Sequence, residues 1–77
     1  MNKSKIFEKY EEKMETLYTC YYHSKRWDNE KDLRDYWGQL QAVRIFTLDI
    51  LGERWRERIY HADMEIDFGL RSFGDKP

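Results

Sequence analysis

The sequence predicts an all-α protein built on an antiparallel helical hairpin, with a third helical segment or a helix extension after Gly52. Apolar side chains recur at spacings of three and four residues over two long stretches, the pattern of one face of an α-helix. A short polar connection, residues 24–28, separates the stretches, and connections of this length join antiparallel helices. Only in residues 60–68 do apolar and polar side chains alternate as they do in a β-strand, and a single strand has no partner in an otherwise helical chain.

The first predicted helix starts near the N-terminus and stops near Lys25. Ser4, or alternatively Asn2, can accept the first free amide hydrogens as an N-cap, so residues 1–3 are expected to be a loosely ordered end. The apolar face of this helix contains Phe7, Tyr10, Met14, Leu17 and Tyr21. That face either packs inside the hairpin or forms a coiled-coil-like seam with another chain.

The second predicted helix starts near residue 29 and contains the longest nearly apolar run, Leu33 to Leu51. Its apolar arc is wider than one neighbouring helix can cover, because Ile45 and Leu48 fall outside the main face. Gly38 lies on the opposite side, where it would let another backbone approach. These features predict contacts on more than one side of this helix.

Helix is expected to continue or restart after Gly52 and to reach about Tyr60. A glycine here can close a helix in a left-handed conformation or mark a weak point, and both alternatives stay open. For residues 60–68 we favour helix or irregular structure over a strand. Residues 69–77 are expected to be a loosely ordered end, so residues 1–77 form a single helical domain.

The small size of the chain predicts self-association. A chain of 77 residues buries too little surface for a wide stability margin. Disulfides are excluded because Cys20 is the only cysteine, and a zinc site would have only His23 and His61 to join it. The aromatic fraction of 17% is more than one small monomer hides easily, so a homodimer through aromatic faces is expected.

The charge balance and the absence of long apolar runs narrow the class of partner. Charged residues make up 38% of the chain, but the formal net charge of −1 provides no overall field to attract nucleic acid. The N-terminus is too charged for a signal peptide, and no run approaches the ~18 apolar residues of a membrane span. We therefore expect a cytoplasmic protein with no membrane partner.

Arg44 is the most informative single residue. Helical spacing places it inside the apolar stripe between Leu40 and Leu51, close to Trp37. A buried charge at this position needs a carboxylate from the first helix or from another subunit. The alternative is that its aliphatic stem lies along the surface and the guanidinium reaches water.

Arg54, Trp55 and Arg58 form a cluster that could stack on a base and hold phosphates. Glu53 and Glu57 neutralise part of its charge. The alternative is that Trp55 anchors the core.

Acidic residues alternate along the third segment at Asp63, Glu65 and Asp67, after His61. In a strand they would share one face and could offer oxygen ligands to a metal. They are equally well explained as the solvent side of an amphipathic segment, and we expect neither a metal nor a cofactor. As a surface, this acidic patch could engage a basic groove on another protein.

Catalysis has little support, because only His23 lies near Cys20 and the sequence identifies no group to orient it. The function we expect is that of a small non-enzymatic adaptor or inhibitor, of the kind that phages and other mobile elements encode, which occupies a surface of a larger protein. The rival hypothesis is a nucleic-acid-binding regulator that uses the Arg/Trp cluster. The candidate partner-binding residues are Trp37, Arg44, Ile45, Leu48, Arg54, Trp55, Arg58, Asp63, Glu65 and Asp67.

Overall fold

The computed structural model describes residues 1–76 and contains three α-helices: α1 (Lys3–Arg26), α2 (Glu30–Leu51) and α3 (Arg56–Leu70). Short 3-10 turns at Glu53–Trp55 and Arg71–Gly74 precede and follow α3. No strand occurs in the described part of the chain, so the predicted all-α class is confirmed.

The N-terminal cap is Asn2, the second of the two residues that the sequence offered. Its side-chain oxygen accepts the amide hydrogen of Lys5. Because Asn2 rather than Ser4 provides the cap, α1 begins at Lys3, inside the segment that was expected to be loosely ordered.

α1 and α2 form the predicted antiparallel hairpin. The chain reverses through Asp28, which has a φ of 55°, and Asn29 then caps α2 by accepting the amide hydrogen of Asp32 at 3.2 Å. At the far end of the hairpin the Lys3 ammonium donates to the carbonyl oxygen of Leu51 at 2.9 Å. The first residue of α1 therefore caps the last turn of α2.

Gly52 ends α2 with a φ of 95°, a conformation that favours glycine. The chain then turns through the first 3-10 segment and restarts as α3, which confirms the helical segment expected after this glycine. Residues 60–68 are helical because Ile59, Ala62 and Ile66 then share one face and pack against the core.

α1 is the central helix. Both α2 and α3 pack along it, whereas they make few contacts with each other. The most deeply buried side chains come from all three helices, and they are Met14, Leu40, Leu51 and Ile59. The rest of the buried apolar core consists of Phe7, Tyr10, Leu17, Tyr18, Tyr22 and Ala62.

The C-terminal segment corrects another expectation. Gly69 and Leu70 belong to α3, and the turn Arg71–Gly74 packs against α1, where Gly74 is buried against Tyr22. The segment was expected to be loosely ordered, but the described residues up to 76 continue the packed structure. Pro77, the end of that predicted segment, lies outside the described residues.

Candidate interaction surface

Arg44 is paired within the chain. Its Nη2 lies 2.9 Å from Oδ2 of Asp63, and the two side chains are only 12% and 13% exposed. The carboxylate therefore comes from α3, not from α1 or from a second subunit as the sequence led us to expect. The reason is that α3 returns alongside α1 and brings Asp63 next to the middle of α2.

Two neutral side chains complete this ion pair. The Tyr18 hydroxyl donates to the other oxygen of Asp63 at 3.0 Å, and Gln41 accepts a hydrogen bond from Nη1 of Arg44 at 2.8 Å. Burial lowers the pKa of Arg44, but the hydrogen bond and the charge of Asp63 outweigh this and raise it. The guanidinium Nη atoms of Arg44 and the carboxylate of Asp63 are therefore paired within the chain, while the buried Nε of Arg44 has no hydrogen-bond partner in residues 1–76.

A second carboxylate is held one turn further along α3. Asp67 accepts hydrogen bonds from the Tyr22 hydroxyl and, at 3.0 Å, from Nη2 of Arg71. Burial alone would raise the pKa of Asp67, but these hydrogen bonds outweigh it and lower the pKa. Tyr18 and Tyr22 on α1 thus face Asp63 and Asp67 on α3 at the same spacing of four residues, which shows that the two helices run parallel.

The prediction of an acidic patch on residues 63–67 is wrong, because the segment is a helix and its alternate residues do not share one face as they would in a strand. Asp63 and Asp67 turn inward, whereas Glu65 is exposed and lies 3.1 Å from Nε2 of His61. Nowhere in residues 1–76 are three or more His, Cys, Asp or Glu side chains placed to hold a metal ion.

Trp55 is part of the chain's own packing. Its ring centroid lies 5.6 Å from that of Phe7, and the guanidinium of Arg58 lies 4.3 Å from the Trp55 centroid and 4.9 Å from the Phe7 centroid. Arg54 is exposed. The arrangement matches the core-anchor alternative for Trp55, because the indole already contacts an aromatic ring and a cation of the same chain.

Seven large apolar side chains remain exposed on α2 and α3. Five of them form what we call the α2–α3 surface, and the other two, Phe46 and Ile50, lie on other sides of α2. Trp37 and Ile45 of α2 are 50% and 57% exposed, while Tyr60, Met64 and Phe68 of α3 are 42%, 55% and 59% exposed. The sequence identified the two residues of α2 but missed the three of α3. Their spacing of four residues would have revealed the row once the segment was assigned to a helix.

Arg44 of α2 lies next to the exposed Tyr60 of α3 and so connects the exposed side chains of the two helices. Its guanidinium lies 5.7 Å from the centroid of the Tyr60 ring. Helical spacing puts Trp37 two turns before Arg44 on the same face of α2, whereas Ile45, the next residue, is turned about 100° away and lies at the border of that face. Leu48, also a candidate, is only partly exposed and packs against the core, so it is not part of this surface.

A cavity of about 430 Å³ opens beside Trp37 at one end of the α2–α3 surface. Tyr18, Tyr21 and Tyr22 of α1 line it, and the remaining lining residues are Lys25, Asp67, Arg71 and Asp75. Two cations and two carboxylates balance its charge. The surface therefore combines an exposed apolar row with a concave aromatic recess.

Cys20 and His23 line a separate cavity of about 230 Å³ together with Asp32, an acid that sequence reasoning did not associate with them. Among residues 1–76 no hydrogen bond or ion pair joins the thiol, the imidazole and this carboxylate. The geometry needed for a Cys/His/Asp nucleophile is thus not assembled in this arrangement.

None of the helices in residues 1–76 combines the length and the apolar character needed to cross a membrane. Comparisons with protein-family models, with curated proteins and with solved structures found no match to this chain.

Proposed function

We propose that this protein is a non-enzymatic interaction module, an adaptor or inhibitor, that inserts the α2–α3 surface into an apolar groove of a partner protein. The observation that carries the proposal is the row Tyr60, Met64 and Phe68 on α3, whose side chains are 42–59% exposed while the arginines beside them are paired within the chain.

The spacing of this row suits insertion into a groove. Tyr60, Met64 and Phe68 are separated by one helical turn each and extend over about 12 Å of the helix axis. Helices that occupy hydrophobic grooves use large apolar anchors at such intervals. Trp37 and Ile45 add exposed apolar side chains on α2, and exposed apolar surface beyond that of scattered single residues marks interaction sites.

Contacts within the chain support the idea that the side chains of this row are already ordered in the unbound protein. Arg71 lies over the Phe68 ring at 4.3 Å and Arg56 over the Tyr60 ring at 5.9 Å. The Arg44–Asp63 pair fixes α3 relative to α2. Side chains that are already ordered lose less conformational entropy on binding, which favours affinity.

The partner is selected by apolar shape more than by charge. Arg56 is paired with Glu53 at 2.7 Å and Arg71 with Asp67 at 3.0 Å, so the cations beside the row are neutralised. We expect affinity for the partner to change little with salt concentration, in contrast to binding that depends on phosphate contacts.

The experiment compares three versions of the protein as bait in a lysate of the source cell: wild type, Met64→Asp and Trp27→Asp. Met64 and Trp27 are similarly exposed, at 55% and 59%, but Trp27 lies at the hairpin turn. A partner retained by wild type and by Trp27→Asp but lost with Met64→Asp supports the proposal. The retained protein is then purified and its affinity for all three versions is measured by calorimetry.

Two results would contradict the proposal. One is a purified partner that binds Met64→Asp as tightly as wild type. The other is an affinity that falls steeply as the salt concentration rises, since that dependence indicates counterion release from a charged ligand.

A further inference from the structure

We infer that the outer face of α2 binds a second copy of this chain, as an antiparallel pair of α2 helices related by a two-fold axis beside Ala42. The face is defined by Gly38, Ala42 and Phe46, which follow one another at intervals of four residues. All three are exposed, and Phe46 is 66% exposed. The inference is independent of the proposed function because it depends on a different face of α2.

Gly38 has no explanation within the monomer. It lies in the interior of α2, where glycine costs about 1 kcal/mol relative to alanine. A Cβ added at Gly38 would meet no atom within 4 Å, so no neighbour in the same chain requires the small residue. A glycine on an open helix face allows the close approach of another backbone. Gly69 in α3 is equally open, and Gly38 differs from it because Ala42 and Phe46 follow at intervals of four residues on the same face.

The sizes of the three side chains complement one another in an antiparallel pair. Gly38 and Phe46 lie four residues to either side of Ala42, about 6 Å away along the helix axis. A two-fold axis at Ala42 therefore places Phe46 of each copy opposite Gly38 of the other copy. The two Ala42 methyl groups then face each other at the axis. Pairing of large with small residues is how facing helices fill the space between them.

Opposite charges also meet at the rim in this register, next to one pair of like charges. Arg34 and Asp49, which form no ion pair with residues 1–76, lie eight and seven residues to either side of Ala42. The two-fold axis brings Arg34 of one copy next to Asp49 of the other. Asp35 also lies opposite Asp49, but it is already 3.5 Å from Lys31. The result is an apolar centre with a charged rim, as in stable interfaces.

The dimer would leave Tyr60, Met64 and Phe68 free, because they belong to α3. Ile45 borders both faces. Each dimer would thus display two copies of the α2–α3 surface, and a partner with two sites would bind it more tightly than it binds one copy.

A disulfide test examines the register directly. Cys20 is first replaced (Cys20→Ser), and Ala42→Cys is then introduced, because a residue beside a two-fold axis lies next to its own copy. A disulfide forms only when the two Cα atoms are within ~7 Å. We expect a cross-linked dimer after mild oxidation, and no cross-link from the control Met64→Cys in the same background.

A second measurement does not need new cysteines. Light scattering of the wild type at tens of micromolar should give twice the monomer mass. Gly38→Leu should raise the dimer dissociation constant by roughly tenfold or more through overpacking, whereas Gly69→Leu should leave it unchanged. Gly69 is the matched control because a Cβ there also meets nothing within 4 Å.

A monomer mass throughout this concentration range would overturn the inference. So would efficient cross-linking through Met64→Cys but not through Ala42→Cys, since the second copy would then occupy the α2–α3 surface. Equal dissociation constants for the two leucine variants would also overturn it.

Discussion

Arg44 and Asp63 join two helices that otherwise hardly touch. The 2.9 Å pair links the middle of α2 to α3, while both helices are packed mainly on α1. The pair lies next to Tyr60, so the same contact that closes the fold also sets the position of the exposed apolar row.

Removing one member of this pair should destabilise the protein strongly. Arg44→Met leaves an almost buried carboxylate without its cation, and Asp63→Asn leaves the guanidinium without its anion. Each should lower the free energy of unfolding by about 3 kcal/mol or more. Urea unfolding of the two single variants and of the double variant measures the coupling between the residues. The double variant should lose at least ~1 kcal/mol less free energy of unfolding than the sum of the two single losses.

The exposed pair Glu53–Arg56 is the control for this cycle. Its N–O distance is 2.7 Å, but the Arg56 and Glu53 side chains are 48% and 75% exposed. Arg56→Met should change stability very little, because water screens the charges. A loss equal to that of Arg44→Met would mean that burial does not decide the strength of these pairs.

Tyr10 and Tyr18 should respond in opposite ways to loss of the hydroxyl group. The Tyr10 hydroxyl is buried and has no hydrogen-bond partner in residues 1–76, whereas the Tyr18 hydroxyl donates to Asp63 at 3.0 Å. Tyr18→Phe should cost about 1.5–3 kcal/mol because the acceptor is charged. Tyr10→Phe should be neutral or stabilising, and a large loss measured by thermal unfolding would contradict the assigned contacts.

High pH should unfold the protein through Tyr10, Tyr18 and Tyr22. Burial and neighbouring carboxylates raise the pKa of all three, that of Tyr22 to about 12, above the ordinary value of 10.0. A raised folded-state pKa adds stability that is complete below the unfolded value and is lost as the pH rises through the folded value. Helix content should therefore fall above about pH 10.

Tyrosinate absorbance, followed together with circular dichroism, checks this expectation. Three of the six tyrosines should ionise only as the helices unfold. If all six ionised in one step near pH 10 with the helices intact, the proposed burial of these hydroxyl groups would be wrong.

Gly74 should tolerate no larger residue. A Cβ at this position would lie 2.8 Å from Cδ1 of Tyr22, and that ring is held by the hydrogen bond of its hydroxyl to Asp67. Gly74→Ala should loosen the C-terminal turn from α1, and hydrogen exchange of residues 71–76 should increase. Gly69→Ala, which meets nothing within 4 Å, should cause no such increase.

The nucleic-acid hypothesis makes a separate prediction. If the protein is an interaction module for another protein, a labelled single-stranded oligonucleotide should not bind to it at ~0.1 M salt. Binding that disappears at higher salt, and whose salt dependence weakens in Arg54→Met, would instead favour the regulator hypothesis.

The sequence by itself determined the two helices of the hairpin and the connection between them. Local spacing predicted α1 and α2, because apolar residues three and four apart bury one helix face whatever lies opposite. Gly52 was recognised as a helix end or a weak point, and its φ of 95° in the structure, which few other residues adopt, makes it the end of α2. Ile45 was found as an exposed candidate because the apolar arc of α2 is wider than a single neighbour covers, but the same argument included Leu48, which packs against the core.

Only the tertiary structure decided which side chains meet. Asp63 and Asp67 belong to an alternating acidic pattern that also fits a strand, and the path of α3 along α1 is what turns them toward Tyr18 and Tyr22. The partner of Arg44 is nineteen residues away in the chain, so no local pattern identifies it. Which apolar row stays exposed follows from the same long-range packing, because each helix can bury only the face that its neighbour covers.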